Sequence, residues 1–448
     1  MRRHVSLAGS SLAARVGFAL VAAAVSSAPG TAAADGGDPS LIHACVQKSS
    51  QQVRLVAPNE VCRQTEMPVH WPGAVGVSPA PLNLTVNCAA GETVASALAR
   101  ATSSTNRVTI TIVGTCTEAV TISRDAVTLQ GAAPGDGLQA PSPTATVLTV
   151  IGQRAELNQL TIAGGVRGLA ALRGAAFRGT NLRVSGASSA NVFLLQNATG
   201  QLANSIVGPG PRNGVELQLG SSIAIIGGAV EDHGLIGVQA AAGSHASVVG
   251  GAALLRNAFR GGMAGNGSSL FVDSVVEGSD IGLQAFVGGT VTLAGPGAVT
   301  RNHARFGLFA GSGSVIVNNG ARVADNGGVG ILVSSGRLTM QTGAVVENNG
   351  GGGVEVTAGG AAEFSGGSSV AADGVIIRNN QGDGIHVRDV SVASFFPIDA
   401  TAVGATQVTG NTGTGVICDG PPAVAQIRGP MGTVTGNGNN TIACPVSP

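Results

Sequence analysis

The chain has 448 residues, of which 70 are Gly, 44% are apolar, 11% are charged and 3% are aromatic. Low charge with high apolar content excludes a disordered polymer, and glycines that do not fall at every third position exclude collagen. Twenty-four Lys plus Arg balance 24 Asp plus Glu, so no polybasic surface for nucleic acid or an anionic membrane is expected.

Arg2, Arg3 and Arg15 precede an apolar run over residues 16–25 and the small triplet Ala32-Ala33-Ala34. This order predicts a secretory signal over residues 1–34, cleaved before Asp35, because the run is too short to span a bilayer. Cleavage removes three arginines and no acid, leaving a net charge of −3 over 35–448, where no later apolar run could cross a membrane. Six cysteines then suggest an oxidising compartment. They cluster at the two ends of the mature chain, which favours local bridges among fifteen possible pairings: Cys45–Cys62, Cys88–Cys116 and Cys418–Cys444. None forms a C-x-x-C pair and no histidine sits at ligand spacing, so no metal site is expected.

Residues 35–71 read as a small β segment, with short runs at 44–46, 53–56 and 69–71. Ile42, Cys45-Val46, Arg54-Leu55-Val56, Cys62, Glu66, Val69 and Trp71 resemble a two-cysteine segment found near the start of many secreted bacterial proteins. That resemblance implies an extracellular, periplasmic or outer-surface setting and no catalytic role. Pro-rich residues from 72 onward read as a linker over 72–87. Val94, Ala97, Leu98 and Ala101 then follow helical spacing, predicting one short helix over 92–101. Beyond it the period drops to two, at Val108, Ile110 and Ile112, at Val120 and Ile122, and at Val127 and Leu129, which predicts three short strands.

A turn followed by apolar-variable-apolar residues recurs from Gly168, Asn191, Gly214, Gly237, Gly262, Gly282, Gly307, Gly330, Gly353, Gly384 and Gly415. One residue after the mark stand Leu169, Val192, Val215, Val238, Met263, Leu283, Leu308, Ile331, Val354, Ile385 and Val416, all apolar. Three after the mark, every residue except Gly265 is apolar too. Strand side chains alternate between faces, so these positions point inward and the mixed residues between them point outward. A unit of about 23 residues cannot bury its apolar face alone, but stacked copies form a continuous core. The fold class is therefore all-β, a solenoid over 88–448 with a capping helix and the small N-terminal segment.

The helix at 92–101, the strand pattern after it, and recurrent Asn at Asn302, Asn326, Asn349, Asn380 and Asn411 resemble the right-handed parallel β-helix of the pectate-lyase-like superfamily. The resemblance implies asparagine ladders at the turns. It also implies a possible class of activity, cleavage of acidic polysaccharides by calcium-assisted elimination or by paired carboxylates. The sequence departs from those enzymes: it has no Asp-Asp pair and no Gly-His-Gly, and its lone lysine, Lys48, lies outside the solenoid.

The remaining constellation is C-terminal. Glu355 and His386 are expected at one outward position on adjacent coils, with Arg388 and Asp419 repeating this two residues on and Asp383 and Asp389 flanking the strand. A carboxylate beside imidazole and guanidinium can bind an anion or do acid–base work, yet polar residues belong on an outward face whether or not they act. Two gaps of 31 residues bracket His386 and imply insertions, the second holding Phe395 and Phe396, a candidate binding pair or simple loop packing. Glu231-Asp232-His233 reads as a turn. The segment from Asn379 to Gly384 hints weakly at calcium, since no Asp-bearing nonapeptide recurs. The expectation is an exported structural, adhesive or glycan-contacting protein, partnered by a polysaccharide or cell-surface glycan and without a cofactor. The alternative is a polysaccharide lyase, in which case calcium joins it.

Overall fold

The computed structural model describes residues 41–57, 60–72, 81–101, 107–365, 374–396, 406–419, 426–428, 432–444 and 446–447; the expected signal segment lies outside them. The chain divides into two compact units, residues 1–77 and 78–448. In the first, Leu41–Gln47 pairs antiparallel with Val53–Val56 on one side and Glu66–Pro72 on the other. Buried Cys45 is bridged to Cys62, and Arg54 bonds to Glu60 (2.5 Å) and Glu66 (3.1 Å).

The second unit is a parallel β-solenoid whose turns carry up to three short strands. A first ladder of 14 strands runs from Val120–Ile122 to Asn439–Ala443. The second and third ladders merge where Thr199–Val207 and Ser222–Glu231 each run through both. One turn shows the plan: Ile331–Ser334, then Arg337–Gln341, then Val345–Glu347, each paired with its copy in the turns before and after. Leu148, Leu169, Val192, Val215 and Val238 lie in one column, as do Leu283, Leu308, Ile331, Val354, Ile385 and Val416, all at 0–1% exposure. The repeating apolar mark is this column.

One coil departs from the expected register. Gly262, not Met263, stands opposite Val238 and Leu283, while Met263 lies between Gln239 and Gln284 on the outward side. The mark on this coil is therefore Gly261, at spacings of 24 and 21 in place of 25 and 20, and the inward third residue is buried Ala264, so the apparent exception at Gly265 disappears. A Cβ on Gly262 would come within 2.6 Å of Leu270 and 2.9 Å of Leu283. Glycine fills this inward place because neighbouring leucines occupy the volume, and a search for apolar side chains steps past it.

The expected linker ends early. Leu82–Asn87 is a strand, paired in parallel with Val108–Val113 as the first strand of the second ladder. The helix is Val94–Arg100, burying Val94 and Ala97 against the first coil. Thr93 caps it by accepting from Ser96 N, and Glu118 of the next coil accepts the N–H groups of Val94 (2.6 Å) and Ala95 (3.1 Å). Disulfides join Cys88 to Cys116 and Cys418 to Cys444, completing the three expected pairings.

At the turn between the third and first ladders, Asn326, Asn349, Asn380, Asn411 and Asn437 form a buried column. Each of the first four donates its amide to the next Oδ1 at 2.8–2.9 Å, and that oxygen also accepts the donor residue's own backbone N–H. Asn302 is not a member: it has φ +56° and bonds to Glu277, and the ladder place passes to His303, whose backbone N–H donates to Asn326 Oδ1. His233, expected in a plain turn, is likewise 1% exposed between Asn191 and Asn257.

Candidate functional site

The C-terminal cluster sits on the outward side of the first ladder. Register places Glu355 opposite His386 and Arg388 opposite Asp419, as the spacing implies. The bonds, however, run diagonally. Arg388 is ion-paired with Glu355, and His386 Nε2 meets Asp419 Oδ2 at 2.7 Å, because long side chains reach the residue two positions along the neighbouring strand.

Asp383 lies 3.6 Å from His386 Nδ1 through Oδ2, while its Oδ1 accepts the Thr414 N–H at 2.7 Å. Asp389 faces the other way, accepting from Thr357 Oγ1 (2.5 Å) and the Ala358 N–H (3.2 Å). Those two hydrogen bonds hold its carboxyl below the usual aspartate range. The cluster thus brings Glu355, Asp383, His386, Arg388 and Asp419 together, and Asp389 remains apart on the turn. Every carboxylate in it already has a partner within the protein.

The aromatic pair separates. Phe395 is 1% exposed and stacks on Phe364 of the preceding coil, with ring centroids 4.9 Å apart, so it belongs to the core; Phe396 points out at 53% exposure. Adjacent strand residues face opposite sides, so the two could never have formed one platform. Residues 366–373 and 397–405, where the expected insertions fall, lie outside the described residues. In the segment hinting at calcium, Asn380 serves the ladder and Asp383 the contacts above. Among the described residues, the group with three ligand-type atoms close together is Cys45, Cys62 and Glu66, and its two sulfurs are joined to each other. No helix among them is long and apolar enough to cross a membrane.

A second feature carries no mark in the sequence. On the second ladder a cleft of about 660 Å³ is lined by Arg107, Asp125, Arg154, Glu156 and Arg178 among others. The arginines come from coils 47 and 24 residues apart in the chain. Only stacking brings them to one surface, and the signal available beforehand was compositional: residues 107–183 hold seven Arg and four acids, while 184–448 hold ten Arg and fifteen acids.

No family model matches the chain, and no curated protein is similar enough to match. Solved structures do align with it. Tailspike protein 3 of bacteriophage CBA120 is 14% identical, over 82% of this chain and 60% of its own, with a TM-score of 0.34. The catalytic domain of a GH87 α-1,3-glucanase, solved with tetrasaccharides, is 11% identical over 92% and 84%, with a TM-score of 0.32. The Agl-KA catalytic domain is 12% identical over 86% and 76%, with a TM-score of 0.27. The chain thus spans less than two thirds of the tailspike.

Proposed function

We propose that the chain is an exported, right-handed β-helical protein of the pectate-lyase-like kind that contacts a glycan along its outward ladders and does not cleave it. The observation that carries the second half is the closed pairing of the C-terminal cluster. Elimination needs a basic group free to take a proton, and hydrolysis needs two carboxylates facing a bond held between them. Here the Arg388 guanidinium is committed to Glu355, and His386 stands between Asp383 and Asp419. The cluster works as a cross-strand charge ladder.

The first half is supported by geometry. Outward positions of the first ladder recur about every 4.8 Å, presenting a strip that includes the half-buried Glu216, Gln239, Met263, Phe309 and Leu332, along which a linear polymer can lie. Asn213 ties this strip together, donating to Glu216 (3.0 Å) and Gln239 (3.1 Å). Three disulfides fit an oxidising, extracellular setting. Signal cleavage before Asp35 and the bacterial origin implied by the two-cysteine segment belong to the same reading.

The test is incubation of the mature protein with polygalacturonate, with and without calcium, while following the ultraviolet absorbance of unsaturated products. No rise is expected. A rise that is lost on Glu355→Ala or Arg388→Ala would establish the lyase and overturn the non-catalytic reading.

A further inference from the structure

The solenoid does not treat its arginines alike. From residue 184 on, Arg256, Arg301, Arg305, Arg322, Arg337, Arg378 and Arg388 are each ion-paired with a carboxylate on the adjacent coil, whereas Arg260 lies over the Phe259 ring and Arg212 is exposed with no ion pair among the described residues. In the first coils, Arg107, Arg154 and Arg178 are exposed and form no ion pair among the described residues. Residues 102–106, which precede Arg107 and are not described, carry no charged side chain.

These three arginines share the cleft on the second ladder. Val108, Val127, Ala155 and Phe177 lie in one inward column, all buried, so the residues beside them face out: Arg107 before Val108, Arg154 before Ala155, Arg178 after Phe177. With coils about 4.8 Å apart, Arg107 and Arg154 are two rungs or about 10 Å apart along the axis, and Arg178 is one rung further. Two acids lie among them. Asp125 Oδ1 accepts the Arg154 backbone N–H at 2.9 Å and Glu156 is contacted by Thr128 Oγ1 at 3.5 Å; three guanidinium groups against these two carboxylates leave one positive charge in excess. Seven arginines further along the solenoid each have a carboxylate beside them; here three share an open cleft.

We infer that this first-coil cleft is a binding site for an acidic polysaccharide, whose oxyanion groups, carboxylate or sulfate, meet Arg107, Arg154 and Arg178 in turn. Arginine suits the task because its planar fork presents paired donors to a carboxylate or sulfate and stays charged at every working pH. The site is separate from the C-terminal cluster, and it rests on the reading that the solenoid contacts a glycan. It gives that contact a place and a charge.

The test measures binding of the full mature chain to three immobilised probes: polygalacturonate for carboxylates, dextran sulfate for sulfate esters, and uncharged dextran. An acidic probe should bind, more weakly as salt rises, and lose at least tenfold in affinity in Arg154→Gln/Arg178→Gln. Arg212→Glu, a larger local charge change at another exposed arginine, should bind as the wild type does. The double variant should melt within about 2 °C of the wild type, since neither side chain holds a partner. Whichever acidic probe responds identifies the oxyanion. Acidic binding that is unchanged in the double variant overturns the site, as does binding of dextran without any acidic preference; both leave glycan contact in general standing. Failure of all three probes removes the site and the broader reading together.

Discussion

His303 and His233 show how one residue type is made to stand in for another. The His303 ring is 1% exposed: Nδ1 accepts the Ser279 N–H at 3.0 Å, so Nε2 must carry the proton toward Thr300 Oγ1 (2.9 Å) or Val276 O (3.2 Å). In His233 the roles are reversed, with Nδ1–H donating to Asn257 Oδ1 and Nε2 accepting from Asn191. Each ring fits only when neutral, since a second proton would face a donor. Burial pushes His303 down to about 4 from an ordinary 6.5, outweighing its bonds and the charges of Glu277 and Asp280; burial likewise lowers His233 against Asp232 and Glu231. A lowered folded pKa gives stability that is present above pH 6.5 and is lost as pH falls toward 4, worth roughly 3 kcal/mol for His303. The melting temperature should therefore drop between pH 7 and 4, and His303→Asn, which restores the ladder residue, should flatten the slope. Asn349→Ala leaves the backbone and side-chain donors of Asn326 without their acceptor, while the Asn380 oxygen loses the amide donor and keeps the backbone N–H of position 349. It should cost about 2–4 kcal/mol in urea unfolding, where an exposed substitution such as Ser335→Ala costs far less.

At the scale of elements, the two ends of the solenoid need different devices. An open coil exposes unpaired strand groups and apolar side chains, a template for end-to-end association. At the N-terminal end the Val94–Arg100 helix covers the core, and Glu118 satisfies two of its first N–H groups with a charge the helix dipole favours. Glu118→Ala should destabilise the first coil by about 1–2 kcal/mol, seen as faster amide exchange over residues 94–122. At the other end Ile442 remains 44% exposed, and the Cys418–Cys444 bridge ties the last strand of the first ladder to its neighbour. Closing 26 residues is worth roughly 3 kcal/mol in the chain-entropy account. Cys418→Ser/Cys444→Ser should raise protease sensitivity or oligomerisation, read by limited proteolysis and light scattering. If neither changes, the bridge does not cap the end.

The whole second unit is a one-dimensional stack, so each coil leans only on its neighbours. Leu283→Ala removes a fully buried side chain between Gly262 and Leu308 and should cost about 2–5 kcal/mol. Its effect should stay local: amide protection should fall on the coils of Gly262, Leu283 and Leu308 and persist around Val120 to Val192. Uniform loss along the stack would show a single cooperative unit instead. The same one-dimensionality explains why function can be distributed, with a self-neutralised charge ladder near the C-terminus and unpaired arginines many coils away.

Much of this architecture is written locally. The alternation at Val108, Ile110 and Ile112, the recurring apolar mark, the helix around Val94 and Ala97, and the clustering of cysteines each depend on neighbours a few residues to a few tens of residues away, and pattern alone reveals them. Other features arise where coils meet, because stacking pairs residues whose separation in the chain carries no signature. The Gly262 register, the passage of the ladder from Asn302 to His303, the inward turn of Phe395 and the diagonal Glu355–Arg388 and His386–Asp419 pairs are decided there. So is the meeting of Arg107, Arg154 and Arg178, since only the winding of the chain sets which side chains from different coils share a face.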